Sequence, residues 1–329
     1  MATTIIKIVD PDNGAGTDYT SLDAWEDALG GTTDGDLVTN NEIAIAQCRN
    51  SSGSGDTATF AILGWTTGPA NYILVEAYTG YAHSGVYDET KYWMYNGATS
   101  SQWQIKENYV IFDHIQFKQE GSSGTRYGLY TNTIDAGGSL VLIKNCINKG
   151  VLSGTAIGYG FYTASDADLT IVFEGCIAYD YNTANSRGFQ TGADTVALAY
   201  HCTAYNNITG FRFLDTIVNC ISFNNTDDFD GGAIDYCASD DGDGTNAIAP
   251  SGANWANEMP NYATGNFTLI STGNCYQAGL NDPSGAGYGD PDIIGTARPT
   301  APTLWSVGAF EPAGAPAPAA ASSAIMMNF

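Results

Sequence analysis

Residues 201–207 read HCTAYNN, and residues 219–225 read NCISFNN, eighteen positions later. The likeness extends beyond these two words. Cys146 sits in LIKNCINKG, Cys176 in VFEGCIAYD, Cys202 in LAYHCTAYNN, Cys220 in TIVNCISFNN and Cys237 in AIDYCASDD. His114, in VIFDHIQFK, is placed in the same slot. One residue after the slot come Ile115, Ile147, Ile177, Thr203 and Ile221. Three before it come Ile111, Ile143, Phe173, Ala199 and Ile217, and three after it Phe117, Lys149, Tyr179, Tyr205 and Phe223. Asp180, Asn206 and Asn224 stand four after it. Like residues at fixed offsets mark a repeated structural unit.

A second word alternates with the first: RYGLYT at 126–131, GYGFYT at 158–163, SRGFQT at 186–191 and TGFRF at 209–213. Each unit therefore holds at least two short strands and two turns. The slot spacing shrinks along the chain, 32, 30, 26, 18 and then 17 residues. Short β-branched and aromatic words with polar turns and variable loops predict a β-solenoid. Each strand would bond to the one below at roughly 4.8 Å, and equal positions would form ladders. Small Cys and aliphatic Ile suit interior columns. Asn and Asp suit the following turn, because they tolerate left-handed backbone. Helical repeats fail: the words are too short and are broken by Gly.

Composition agrees. Charged residues are 14% of the chain, with 39 Gly and 20 Tyr among 329 residues. The formal net charge of −24 argues against nucleic acid and against an anionic membrane as partners. The opening MATTIIKIVDPDNG has no basic-then-apolar leader, and no stretch approaches the ~18 apolar residues of a membrane span. A start in the reducing cytosol is expected, with the seven cysteines as buried thiols.

Residues 18–29, DYTSLDAWEDAL, predict a helix, with Thr20 and Asp23 at capping-box spacing. Leu22, Trp25 and Leu29 share one face, suited to sealing the first turn of a coil. The stretch GTDYTSLDAWEDA resembles the cap of right-handed parallel β-helix proteins of the pectate-lyase-like kind, which open with Gly-x-x-Tyr-x-x-Leu-x-Ala. Asp292, Gly295, Arg298, Pro299, Gly308, Ala309, Phe310 and Glu311 match the closing segment of such proteins. The resemblance implies an all-β fold, a single-stranded right-handed parallel β-helix with a short N-terminal capping helix. The opening form is also similar to uncharacterised tailed-bacteriophage proteins.

The expected layout is a cap over 1–35, a β-helix with closing segment over 36–312 and a Pro/Ala-rich arm over 313–329. Strand-like words in 36–110 fit either the first, wider turns or a small separate sheet. The arm ends in Ile325, Met326, Met327 and Phe329 and is expected to dock on a neighbouring copy.

Chemistry is sparse. The acidic stretch 227–246 holds DGDGT, where Asp241 and Asp243 are the candidate calcium ligands. It is no EF-hand, because Ser239 and Pro250 occupy the first and twelfth positions. Asp227, Asp228 and Asp230 offer a hydrolase pair, with only Arg212 as a nearby base. His114 is read as a ladder residue, His83 as a loop residue without partners, and His201 as facing away from Cys202. No phosphate-binding glycine loop is present. Tyr78, Tyr81, Tyr87, Tyr92, Trp93 and Tyr95 form an aromatic cluster fit for sugars, for a partner protein or for covering the first turns.

Two functions follow. The first is a structural virion protein of a phage, a head decoration or tail component, partnered by other virion proteins and its own copies and adhesive to host glycans. It would need no cofactor beyond an optional calcium and would show no catalysis. The alternative is a polysaccharide lyase or glycoside hydrolase working in an outer groove of the coil.

Overall fold

The computed structural model describes residues 2–97, 103–132 and 139–312. Its strands pair into three parallel sheets of nine, seven and seven strands. The first runs from Thr3–Val9 to Ala233–Asp235, the second from Trp93–Asn96 to Ala238–Ser239, and the third from Ala61–Ile62 to Asp227–Asp230. One turn of the coil shows the pattern: Leu169–Glu174 in the first sheet, Ile177–Tyr179 in the second, Arg187–Gln190 in the third. Every sheet neighbour is a whole turn away in sequence, so the chain is a parallel β-helix. The words of 36–110 form early turns of the same three sheets, such as Ile73–Ala77, Trp93–Asn96 and Trp103–Ile105. Among the described residues, no helix is long and apolar enough to cross a membrane.

The cysteines line up. The residues after them pair in series, Ile147 with Ile177, Thr203, Ile221 and Ala238. Cys146, Cys176, Cys202, Cys220 and Cys237 are each 0% exposed. The Cys202 and Cys220 amides point at the next sulfur, 3.3 Å away in each case. Burial pushes the thiols of Cys146, Cys202 and Cys237 upward. A phenyl ladder fills the third-sheet side of the core. Phe161 stacks on Phe189 at 5.0 Å, Phe189 on Phe211 at 4.6 Å and Phe211 on Phe229 at 5.3 Å.

The corner between the first two sheets is one residue in left-handed backbone: His114, Asn145, Gly175, His201, Asn219, Tyr236. This corrects the place given to His114. Asp113 pairs with Lys144, so His114 aligns with Asn145, and Ile115 takes the position of the first cysteine. The similar triplets DHI and NCI hide a one-residue shift. Asp180, Asn206 and Asn224 also have positive φ after the second sheet, as their residue types suggest.

The helix is Leu22–Leu29, capped by Ser21, whose Oγ accepts from the Ala24 amide at 3.0 Å. The capping residue is thus Ser21 and not Thr20. Leu22 and Trp25 are fully buried, and Trp25 stacks on Trp65 at 5.3 Å. Asp56 accepts from the Leu22 amide and Glu26 from the Leu63 amide, so two buried carboxylates fasten the cap to the coil.

Candidate functional site

The site is decided by which outer faces are left open. The non-repeating chain after Pro250 lies along the second sheet. Ile147, Ile177, Ile221 and Phe223 form one apolar cluster with Trp255, Phe267, Ile293, Val307 and Phe310. The matched closing residues build a buried clamp there. Arg298 Nη1 lies 3.1 Å from Glu311 Oε2 and donates to the Ser306 carbonyl, and its Nη2 donates to the Gly308 carbonyl. Asp292 accepts from the Glu311 amide at 2.8 Å. The corner residues receive this segment: His114 Nε2 meets the Ile293 carbonyl, and Asn219 exchanges two hydrogen bonds with Leu280. Over the first sheet, Tyr288 stacks on Tyr200 at 5.9 Å and packs against the Leu142–Val172 column.

Among the described residues, no such cover lies on the third sheet. Its strands carry the second sequence word, and the ladder skips the glycine of each word. The alternation slips there: Tyr127 is half-buried, Gly128 and Leu129 buried, Tyr130 half-buried again. Such a slip re-aims side chains. Residues on both sides of the Gly–Leu or Gly–Phe pair therefore face outward in two columns. One column is Tyr127, Tyr159, Arg187, Thr209, Asp227. The other is Gln104, Tyr130, Tyr162, Gln190, Arg212, Asp230. The glycines are required for close approach: a Cβ on Gly160 would stand 2.6 Å from the Gly188 carbonyl, and one on Gly188 2.9 Å from that of Gly210.

The face changes character along the coil. Tyr127, Tyr130, Tyr159 and Tyr162 form a cluster with ring centroids 4.9–5.2 Å apart. Burial, then the neighbouring phenols, raises the hydroxyls of Tyr127, Tyr130 and Tyr162 above the usual phenol range. The Arg187 guanidinium lies 5.6 Å over Tyr159. Arg187 is 9% exposed, and neither its Nε nor Gln190 Oε1 has a hydrogen-bond partner. Arg212 Nε lies 2.8 Å from Asp230 Oδ2, an ion pair too bent to count as a hydrogen bond. Phe213 is 47% exposed at the rim, in left-handed backbone, with the Arg212 guanidinium 4.3 Å over its ring. Rows of hydroxyl, guanidinium, amide and carboxylate groups make a hydrogen-bonding track.

The acidic residues fall into two groups. Asp228 is buried in the slot that the glycines hold elsewhere. It accepts from Ser222 Oγ, Asn225 Nδ2 and the Asp240 amide, and burial pushes it up to about 7. It closes the coil from within. Asp227 and Asp230 face outward. Asp241 is exposed and Asp243 half-buried, with the Gly242 and Asp243 amides both donating to Ser239 Oγ. Among the described residues, no third His, Cys, Asp or Glu completes a metal-binding group with them.

The remaining candidates serve the fold. His83 is buried and bonded on both ring nitrogens, to the Asn145 carbonyl and the Gly85 amide. The reading of a partnerless loop histidine is therefore corrected; burial pushes it down to about 3. His201 is buried against Trp305, with ring centroids 5.4 Å apart. Of the 78–95 aromatics, Tyr92 is core. The Lys118 ammonium sits 5.5 Å over Trp93 and 5.7 Å over Tyr95, and Lys149 lies 5.2 Å over Tyr87. Those faces are engaged by the chain's own lysines.

No protein-family model matches this chain, and no curated protein matches it. A solved structure described as "Crystal structure of pectate lyase Pel9A" is similar over 94% of this chain and 97% of its own. The two are 15% identical with a TM-score of 0.38, which carries no argument about activity; the fold rests on the strand pairing above.

Proposed function

We propose that this chain is a rigid, adhesive β-helix of a phage virion that holds an extended neutral glycan along the outer face of its third sheet. The reading is carried by one observation: the face without a cover among the described residues bears two register-matched columns of tyrosine, arginine and amide side chains. Aromatic rings with polar tips suit sugars, and convergent hydrogen-bonding groups fix their orientation. Neutral sugars are favoured because a chain of net charge −24 repels polyanions. The virion assignment rests on the likeness of the opening stretch to phage proteins. Assembly through the arm 313–329 belongs to the same proposal; the arm lies outside the described residues.

Titration calorimetry of the full chain with short neutral oligosaccharides and with polygalacturonate tests the reading. Saturable binding of a neutral oligosaccharide, weakened at least about tenfold by Tyr159→Ala (~1.4 kcal/mol), is expected. Binding indifferent to Tyr159 and Tyr162 would place the ligand elsewhere and end the reading.

A further inference from the structure

Among the described residues, six strands end the three sheets, and five of them are closed. Thr245 pairs with Ala233–Asp235, Ile248 with Ala238–Ser239 and Asp56 with Trp93–Asn96. The capping helix packs on Ala61–Ile62, and Asp227–Asp230 carries three aspartates, charges that resist a further strand. Thr3–Val9 is the sixth. It pairs on one side, with Glu42–Cys48. The Thr3 amide donates to the Asn41 carbonyl and the Arg49 amide to the Val9 carbonyl, so the odd-numbered residues bond to the sheet. The backbone groups of Thr4, Ile6 and Ile8 point the other way. Ile8 is satisfied there: Asp18 Oδ2 accepts from its amide, and the Asp18 and Tyr19 amides donate to its carbonyl. Among the described residues, nothing bonds to the backbone of Thr4 and Ile6 on that side.

We propose that this edge receives residues 323–329 of a neighbouring copy as an added strand; the inference rests on the assembly reading above and not on glycan binding. Ile6 heads an outward apolar column of Ile6, Ile45, Leu74, Ile111, Leu142 and Val172. From Leu74 onward its members are buried, whereas Ile6 is 50% exposed at the head of the column. The tip, SAIMMNF, has the alternation that would continue it: Ile325, Met327 and Phe329 share one face of an extended strand. Main-chain hydrogen bonds to Thr4 and Ile6 would give affinity, and the alternate apolar side chains would set the register.

Charge and reach select this occupant. Two copies pairing edge to edge would bring together caps that each hold eight acids against Lys7 over residues 1–36, and their repulsion disfavours that. The tip carries no charged side chain. Phe310 packs on Gly85, in the connection after Ile73–Ala77, and that strand is two places from Thr3–Val9. The chain's own edge is therefore only ~10 Å further along the coil. Residues 313–322 are rich in Pro and Ala, and such a semi-rigid spacer spans about 30 Å at ~3.1 Å per residue. It carries the tip past its own edge to that of the next copy. Arm and edge are different surfaces, so the contact is heterologous and links copies into a ring or an open chain.

The full chain, a chain lacking residues 323–329 and the Ile6→Pro variant are compared by size exclusion with light scattering, and hydrogen exchange is read at single amides. Proline at position 6 removes only the outward amide and suits an edge strand; Ile6→Lys repeats the test with the backbone intact. The full chain should exceed the mass of one copy in a concentration-dependent way, with the Thr4 and Ile6 amides exchanging at least about tenfold more slowly than in the truncated chain. The truncated chain and both Ile6 variants should be monomers. An equimolar mixture of the truncated chain with Ile6→Pro should form a dimer, because one supplies the edge and the other the arm. If both Ile6 variants assemble as the full chain does, the edge is not the receptor, and assembly through the arm still stands. A truncated chain that still assembles overturns the tip as occupant. A monomeric full chain overturns the neighbouring copy, whether or not its own tip protects Thr4 and Ile6, and removes the assembly reading while leaving glycan binding untouched.

Discussion

The second and third sheets arise from the same repeat, yet one face is sealed and the other among the described residues is not. On the second sheet the outward residues Ile147, Ile177, Ile221 and Phe223 are apolar and buried beneath the closing segment. On the third the outward residues are Tyr, Arg, Gln and Asp. The difference lies in the glycine. Where alternation is unbroken, a strand offers one outward residue per pair, and apolar types there recruit a cover. Where the ladder skips Gly128, Gly160, Gly188 and Gly210, two polar-tipped residues flank each inward phenyl or leucine. A repetitive coil thus gains one face sealed for stability and one that, among the described residues, has no cover.

The contrast breaks most completely at the clamp. Arg298→Ala leaves Glu311 buried without its cation and should cost about 3–5 kcal/mol. Urea denaturation measures the loss, and hydrogen exchange should show it concentrated in residues 251–312. An unchanged midpoint would mean that the cover does not depend on the clamp. Next comes the glycine column. Gly160→Ala drives a Cβ to within 2.6 Å of the Gly188 carbonyl and should cost about 1–3 kcal/mol through overpacking. Circular-dichroism melting checks it; a tolerated alanine would show that the ladder can shift.

Protonation sharpens the comparison. Glu174, which accepts from the Gly289 amide of the closing segment, is pushed up to about 7 by burial, and Asp228, at the end of the third sheet, likewise. Carboxyls with raised folded values bind more protons when folded, so their share of stability is full below about pH 4 and is lost as pH rises through 7. Asp113 acts oppositely. Burial is outweighed by His114 and Lys144, which hold it down at about 2, so its share is present above about pH 4 and lost as pH falls through 2. The unfolding free energy should therefore decline between pH 5 and 8, and Asp228→Asn should flatten that decline. A slope unchanged in the variant would deny Asp228 this part. The smallest effect on folding is expected on the outer face of the third sheet. Tyr162→Ala should cost no more than about 1 kcal/mol in the melt while weakening glycan binding markedly.

The coil was legible because its columns are chemical: five cysteines in one slot and Asn or Asp in one turn leave no helical reading. The limit was register. DHI and NCI look alike, and only strand pairing shows His114 beside Asn145 with Ile115 over Cys146. Ser21 and Thr20 were indistinguishable as caps for a similar reason: both have the needed oxygen, and the backbone selects one. The tyrosine track was present in the words RYGLYT and GYGFYT, since residues flanking each Gly–Leu or Gly–Phe pair recur three apart. What the words lack is knowledge of which face is left without a cover among the described residues. That depends on the path of residues 251–312, which carry no periodicity, and on Lys118 of the next turn, which lies over both Trp93 and Tyr95.

Hydroxyl-radical footprinting of the full chain, read residue by residue in a mass spectrometer, tests the sealed-against-open contrast directly. Tyr127, Tyr159 and Tyr162 should oxidise several-fold faster than Trp255 and Phe223, even though indole is intrinsically the more reactive ring. Equal protection of the tyrosines, or ready oxidation of Trp255, would contradict the account.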